Sequence, residues 1–170
     1  MQPFPPTIIV RHRKENLKKC SLRGLESRED FRFLTYPVSE LPDLSGYLIL
    51  DIEGPPLTSA DQDAGLFVID ATWRYAAVMS TQLSPYLKNA AKRSIPSHFR
   101  TAYPRRQNDC PNPECGLASI EALYIAYLMM GRETSGLLDG YYWRESFLEK
   151  NQINDDLSDS KALNINNYKK

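Results

Sequence analysis

Leu66-Phe67-Val68-Ile69-Asp70-Ala71-Thr72-Trp73 is the stretch that decides the architecture. Four consecutive apolar residues, with no polar alternation, fit a strand covered on both faces, as in the middle of a parallel sheet. At Asp70 the run stops, and from Thr72 the period changes. Trp73, Ala76, Ala77 and Met79 fall at helical spacing until Ser84 and Pro85 end the helix. In open α/β sheets ligands bind outside the carboxyl ends of strands, where loop backbone and helix N-termini converge. Asp70 stands at such an end, and two readings fit it. It is either a helix N-cap accepting from the backbone N–H of Thr72 or Trp73, or a carboxylate facing the crevice.

Upstream, after a proline-rich start, Thr7 is followed by three consecutive β-branched residues, and residues 7–10 read as a short buried strand. The basic residues 11–19 read as a loop, after which Ser21 is placed to cap a short helix through Leu22 and Leu25. Residues 31–36 and 47–52 read as further strands, the latter ended by Gly54, Pro55 and Pro56. Ser59 is placed to cap a helix through Ala64, closed by Gly65.

Downstream, a basic irregular region runs to Cys115. Leu117, Ile120, Leu123, Tyr124, Tyr127 and Leu128 then recur at three-and-four spacing before Gly131, the strongest helix signal in the chain. Residues 137–150 read as a final helix with Tyr141, Phe147 and Leu148 inward. Strands alternating with helices predict an α/β fold, a mainly parallel sheet with flanking helices. The expected organisation is a single domain over residues 1–151, followed by a polar, disordered tail over 152–170.

At 170 residues folding buries roughly two-thirds of the chain's surface, which allows a real core. The formal charge is zero, but the basic residues are segregated. Residues 11–32 hold eight Lys/Arg against four Asp/Glu, and residues 88–106 hold six Lys/Arg with no acid. Each stretch fits either a solvated face or a nucleic-acid contact. Cys20, Cys110 and Cys115 are odd in number, and the N-terminus lacks the pattern of a secretory signal, so a cytoplasmic, reducing setting is expected. Apolar runs such as residues 122–130 fall short of the ~20 residues that cross a bilayer, so no membrane association is expected.

Other chemistry is thinly represented. There is no glycine-rich phosphate loop, no Gly-x-Gly-x-x-Gly and no nucleophile elbow. Cys110, Cys115 and His98 are the sole candidates for a metal, but Pro111, Asn112 and Pro113 between the cysteines read as a turn, and no metal is expected. His12 and His98 lie in the basic stretches and read as solvated histidines or phosphate contacts. Glu121 falls on the apolar face of its helix and is expected to brace neighbouring backbone rather than react.

Val68-Ile69-Asp70-Ala71-Thr72-Trp73 also resembles, as a strand followed by Asp-x-Thr/Ser-Trp, the signature of the ribosome-biogenesis aminocarboxypropyltransferases of small-subunit rRNA. That signature is shared with the related DTW-domain transferases that modify tRNA. Five further segments resemble the family in order: Lys18-Lys19-Cys20-Ser21, Leu57-Thr58-Ser59-Ala60-Asp61, Ile95-Pro96 with Ala102-Tyr103-Pro104, Leu117-Ala118-Ser119-Ile120-Glu121-Ala122, and Phe147-Leu148-Glu149-Lys150-Asn151. The cysteine-rich metal element of the tRNA enzymes is missing, which favours the rRNA branch. Tyr103 replaces the family's Asn, Arg105-Arg106-Gln107-Asn108 stands where Asn-Tyr-Gly is expected, and residues 110–116 are rewritten.

The resemblance implies a SPOUT-like fold with a C-terminal trefoil knot and S-adenosylmethionine as cofactor. It further implies that backbone at Ile95 and Cys115 meets the adenine, Ile69 the ribose, and Ser21 and Ser119 the carboxylate of the methionine part. Trp73 would wall the aliphatic portion, and a core tryptophan fits as well, since a pocket wall is also part of the core. Asp70 is then the catalytic candidate, as a general base or as a charge that steadies the cofactor. Lys18, Lys19, Arg23, Lys88, Lys92, Arg93, Arg100, Arg105 and Arg106 are the candidate contacts to ribosomal RNA or a pre-ribosomal particle, and a monomer is expected. Two other functions remain open: an RNA methyltransferase using the same cofactor in the usual orientation, and a non-catalytic RNA-binding assembly factor.

Overall fold

Alternation in three short apolar runs builds the molecule. In a computed structural model, which describes residues 4–104 and 116–154, Thr7–His12 (β1), Phe31–Tyr36 (β2), Tyr47–Leu50 (β3), Gly65–Asp70 (β4) and Ala91–Arg93 (β5) form one parallel sheet. Its order is β2-β1-β4-β3-β5, so the apolar run that opened the sequence reading is the central strand. Ile9, Leu48, Leu66 and Val68 face one side, while Ile8, Val10, Ile49 and Phe67 face the other. Both faces are therefore apolar and both are covered.

Trp73–Leu83 (α1) covers the second side, through Met79 and Leu83. Ser119–Met129 (α2) and Arg144–Lys150 (α3) cover the first. α2 is buried nearly all round, at Ile120, Leu123, Tyr124, Ile125, Ala126 and Tyr127. At about 1.5–3 kcal/mol for each large apolar side chain removed from water, it is the main anchor of that layer. Gly131, at φ +66°, ends it: Arg132 N–H donates to Tyr127 O at 2.9 Å and Gly131 N–H to Leu128 O at 3.2 Å. Among the described residues no helix is long and apolar enough to cross a membrane.

Several elements differ from the sequence reading. Residues 21–25 are turns and not a helix, because the oxygen of Ser21 is claimed by a distant helix instead of its own. The segment after Thr58 is a short 3-10 turn, Ser59–Asp61, held by the Thr58 N–H donating to Asp61 Oδ2 at 3.0 Å. Gly65 begins β4 rather than closing a helix, since a Cβ there would come within 2.5 Å of the Tyr47 ring. Residues 137–143 turn instead of extending α3. A Cβ at Gly140 would meet Arg23 O at 2.8 Å, so the chain runs close to that loop. β5 is an edge strand of Ala, Lys and Arg, residues of low strand propensity, and its sequence carries no apolar signal. The packed chain continues to Ile153, which joins the core, whereas residues 155–170 of the expected tail lie outside the described residues.

Candidate functional site

Asp70 ends β4, and its carboxylate does not cap α1. The N-cap of α1 is Thr72, whose side chain makes no capping bond. Asp70 is 5% exposed and takes three donors from three other segments. Arg11 Nε donates to Oδ2 at 3.1 Å, Cys20 Sγ to the same oxygen at 3.2 Å, and Ser119 Oγ to Oδ1 at 3.0 Å. Parallel pairing sets the first contact, since Arg11 in β1 and Asp70 in β4 are register partners and project to the same side of the sheet. The site therefore gathers the ends of the two central strands, the loop after β1 and the start of α2.

Arg11 holds the cluster from below. Its Nη1 donates to Glu26 Oε1 at 3.1 Å, and its guanidinium lies 4.7 Å from the Phe33 ring centroid. Burial acts to raise the Glu26 carboxyl, but its own backbone N–H, that of Gly24, and Arg11 outweigh this and hold it below the ordinary range. Glu15 is pushed up, first by burial and then by the charge of Asp70. Arg11, Glu15 and Glu26 are site residues that the sequence reading missed. The available signal was parity: Ile9 and Arg11 share a face of β1, but only the β1–β4 register shows that this face meets Asp70.

Cys20 is a buried thiol. Burial, and next the charge of Asp70, push it from 9.0 up to about 12, so it stays protonated and donates. A raised value means the folded state favours the bound proton. Its stabilising contribution is whole below about pH 9 and is lost as pH rises from there towards about 12. Cys20→Ala should therefore show a flatter loss of stability above pH 9 than the unsubstituted chain in urea titrations. Parallel curves across that range would refute the burial of a neutral thiol beside Asp70.

The start of α2 is completed from outside the helix. Its N-cap, Ala118, has no side-chain acceptor, and Ser21 Oγ accepts from Ile120 N–H at 3.3 Å across 99 residues of sequence. Glu121, fully buried, accepts from Ala118 N–H and Ala102 N–H at 2.8 Å each, from Thr101 Oγ1 at 2.7 Å and from the Tyr141 hydroxyl at 2.9 Å. It braces backbone, as expected. It ties the segment after β5 to the start of α2 and to the turn before α3, and Asn151 adds a clamp on Arg100 through Oδ1 to its N–H and Nδ2 to its carbonyl, both at 2.8 Å.

The other predicted residues fall as follows. Trp73 is half-buried and belongs to neither core cluster. Ile69 packs its side chain on the α1 side, leaving only backbone for a ligand at the crevice. Ile95 is half-buried just beyond β5, where Ser94 bridges Pro56. Lys18, Lys19, Arg23 and Lys88 are exposed, as is Arg100, whose Nη1 donates to Ser97 O at 2.6 Å. Lys92 pairs with Asp51 at 3.1 Å, and Arg93 pairs with Asp61 at 3.2 Å, so both already have acidic partners. Cys110, Cys115, Arg105 and Arg106 lie outside the described residues.

No protein-family model matches the sequence. No curated protein matches it either. Among solved structures, the fold matches the SAM-dependent rRNA:acp-transferase Tsr3 from Vulcanisaeta distributa, with a TM-score of 0.67 and 25% sequence identity over 88% of this chain and 79% of that one.

Proposed function

We propose that this chain transfers the 3-amino-3-carboxypropyl group of S-adenosylmethionine to a uridine or pseudouridine of small-subunit ribosomal RNA. The observation that carries the reading is the match to a SAM-dependent rRNA:acp-transferase over most of both chains. The cluster at Asp70 supports it, because Cys20, Ser119 and Asp70 come from three of the segments that resemble the rRNA aminocarboxypropyltransferases and meet at one carboxylate. The reading includes the SPOUT-like C-terminal trefoil knot, one catalytic domain whose packed end is Ile153, and a monomer in the cytoplasm, where a free Cys20 suits reducing conditions.

The donor set fits this cofactor. Bound S-adenosylmethionine supplies a sulfonium leaving group and activated carbons, of which its orientation selects one for transfer. Ser21 Oγ accepts from Ile120 N–H and keeps its own proton to donate, so it suits the carboxylate of the amino-acid arm, beside the positive end of α2. Ser119 spends its proton on Asp70 and offers only lone pairs. Ser119 is therefore assigned to the ammonium of that arm rather than to the carboxylate. Trp73 walls the aliphatic portion, while backbone at Ile69, Ile95 and Cys115 takes the ribose and adenine.

Asp70 serves the acceptor base. Both lone pairs of Oδ2 are engaged, by Arg11 and Cys20, whereas among the described residues Oδ1 accepts only from Ser119 and keeps one free. That lone pair takes the N3 proton as the base nitrogen attacks. Lys18, Lys19, Arg23, Lys88 and Arg100 are the phosphate contacts, joined by Arg105 and Arg106. Incubation with S-adenosylmethionine and small-subunit rRNA should release methylthioadenosine. Release of S-adenosylhomocysteine would mean methyl transfer, and failure to bind the cofactor in calorimetry would mean an RNA-binding assembly factor.

A further inference from the structure

His12 is not the solvated histidine its basic neighbours suggest. Its ring lies 4.2 Å from that of Tyr75, at 14°, and 5.6 Å from that of Tyr36, at 30°. Its Nδ1 accepts from the backbone N–H of Lys14 at 3.1 Å, which leaves the proton of the neutral ring on Nε2. The three rings come from the ends of β1 and β2 and from the first turn of α1, and all three are half-buried. Tyr36 and Tyr75 pack one side against the core on the α1 side, and the cluster keeps the rest of its aromatic surface at the edge of the sheet.

Its position bears on the site. His12 follows Arg11, the register partner of Asp70 on the neighbouring strand, and strands lie about 4.8 Å apart. The stack therefore borders the same carboxyl edge as Asp70, on the α1 side of the sheet. Cations outnumber acids beside it, with Glu15 the acid of the same turn. Arg13, Lys14 and Arg74 adjoin it in the chain and are exposed, and Lys14 Nζ lies 5.9 Å from the Tyr75 ring centroid. None of these three cations forms an ion pair among the described residues.

Half-open aromatic rings flanked by unpaired cations are the chemistry that holds single-stranded nucleic acid, with bases stacked on rings and phosphates met by Lys and Arg. Resting on the reading of an rRNA substrate, we propose that His12, Tyr36 and Tyr75 form a stacking subsite for an unpaired nucleobase next to the modified one, with Arg13, Lys14 and Arg74 on its phosphates. A base brought to Asp70 must leave its stack, and its neighbour then loses a partner. The aromatic cluster restores one.

The test uses the full chain and an oligouridylate carrying 2-aminopurine, whose fluorescence is quenched by stacking. The unsubstituted chain should quench it, and Tyr75→Leu should lose the quench and bind about tenfold or more weakly. Tyr75→Phe should keep both, and S-adenosylmethionine affinity should be unchanged in each variant. Should Tyr75→Leu also lose the cofactor, the contrast between Tyr75→Phe and Tyr36→Leu decides instead. Unquenched fluorescence with the unsubstituted chain, full affinity and quench in Tyr75→Leu, or equal losses in the Phe and Leu variants would overturn the subsite. Loss of methylthioadenosine production by the unsubstituted chain would strike the proposed function itself.

Discussion

Asp70→Asn is expected to slow group transfer by about 10²-fold to 10⁴-fold, the range that one proton-accepting group contributes. The amide has the shape of the carboxylate but not its charge or its four lone pairs. Either its nitrogen faces Ser119, and the free lone pair of Oδ1 is gone, or it faces Arg11 and Cys20, where donor meets donor. Arg11 retains Glu26, so the fold survives with a loss of about 1–3 kcal/mol. Single-turnover rates, cofactor calorimetry and thermal unfolding separate these effects. An undiminished rate would remove Asp70 from the chemistry. A cofactor affinity that falls as far as the rate would make it a charge in the binding site rather than a base.

Glu121→Gln should give the largest loss of stability among conservative changes. The carboxylate serves one backbone donor at each oxygen, Ala102 N–H at Oε1 and Ala118 N–H at Oε2. Hydroxyls of Thr101 and Tyr141 can turn to accept from an amide, but a backbone N–H cannot. Whichever way Gln is placed, one buried N–H points at an NH2 group. The expected cost is about 2–4 kcal/mol, read as a fall in Tm of roughly 5–15 °C. The loosened parts are the segment after β5 and the start of α2, so cofactor affinity should fall as well. A Tm within a degree or so of the unsubstituted chain would show that the brace is dispensable.

The brace at Glu121 and the cluster at Asp70 meet at the start of α2. Ser119 and Glu121 stand two residues apart in its first turn, one bonded to the Asp70 carboxylate and the other holding the turn in place.

The sequence by itself determined what local periodicity and composition can carry. The run ending at Asp70, the period change at Thr72 and the apolar helix before Gly131 each encode an element within a dozen or so residues, and burial of those apolar faces sets the α/β class. Six short segments in family order carried the candidate chemistry, Asp70 with Ser21 and Ser119 included. Tertiary structure alone decided what Asp70 does. Its donors come from 59, 50 and 49 residues away, and no local rule links an arginine ending one strand to an acid ending another until the parallel register is set. The same holds for Ser21, whose oxygen leaves its own turn for α2, and for His12, half-covered by two tyrosines. Hydrogen bonds and ring contacts act over a few ångströms, while the chain distances they close are fixed only when the sheet and its covering helices come together.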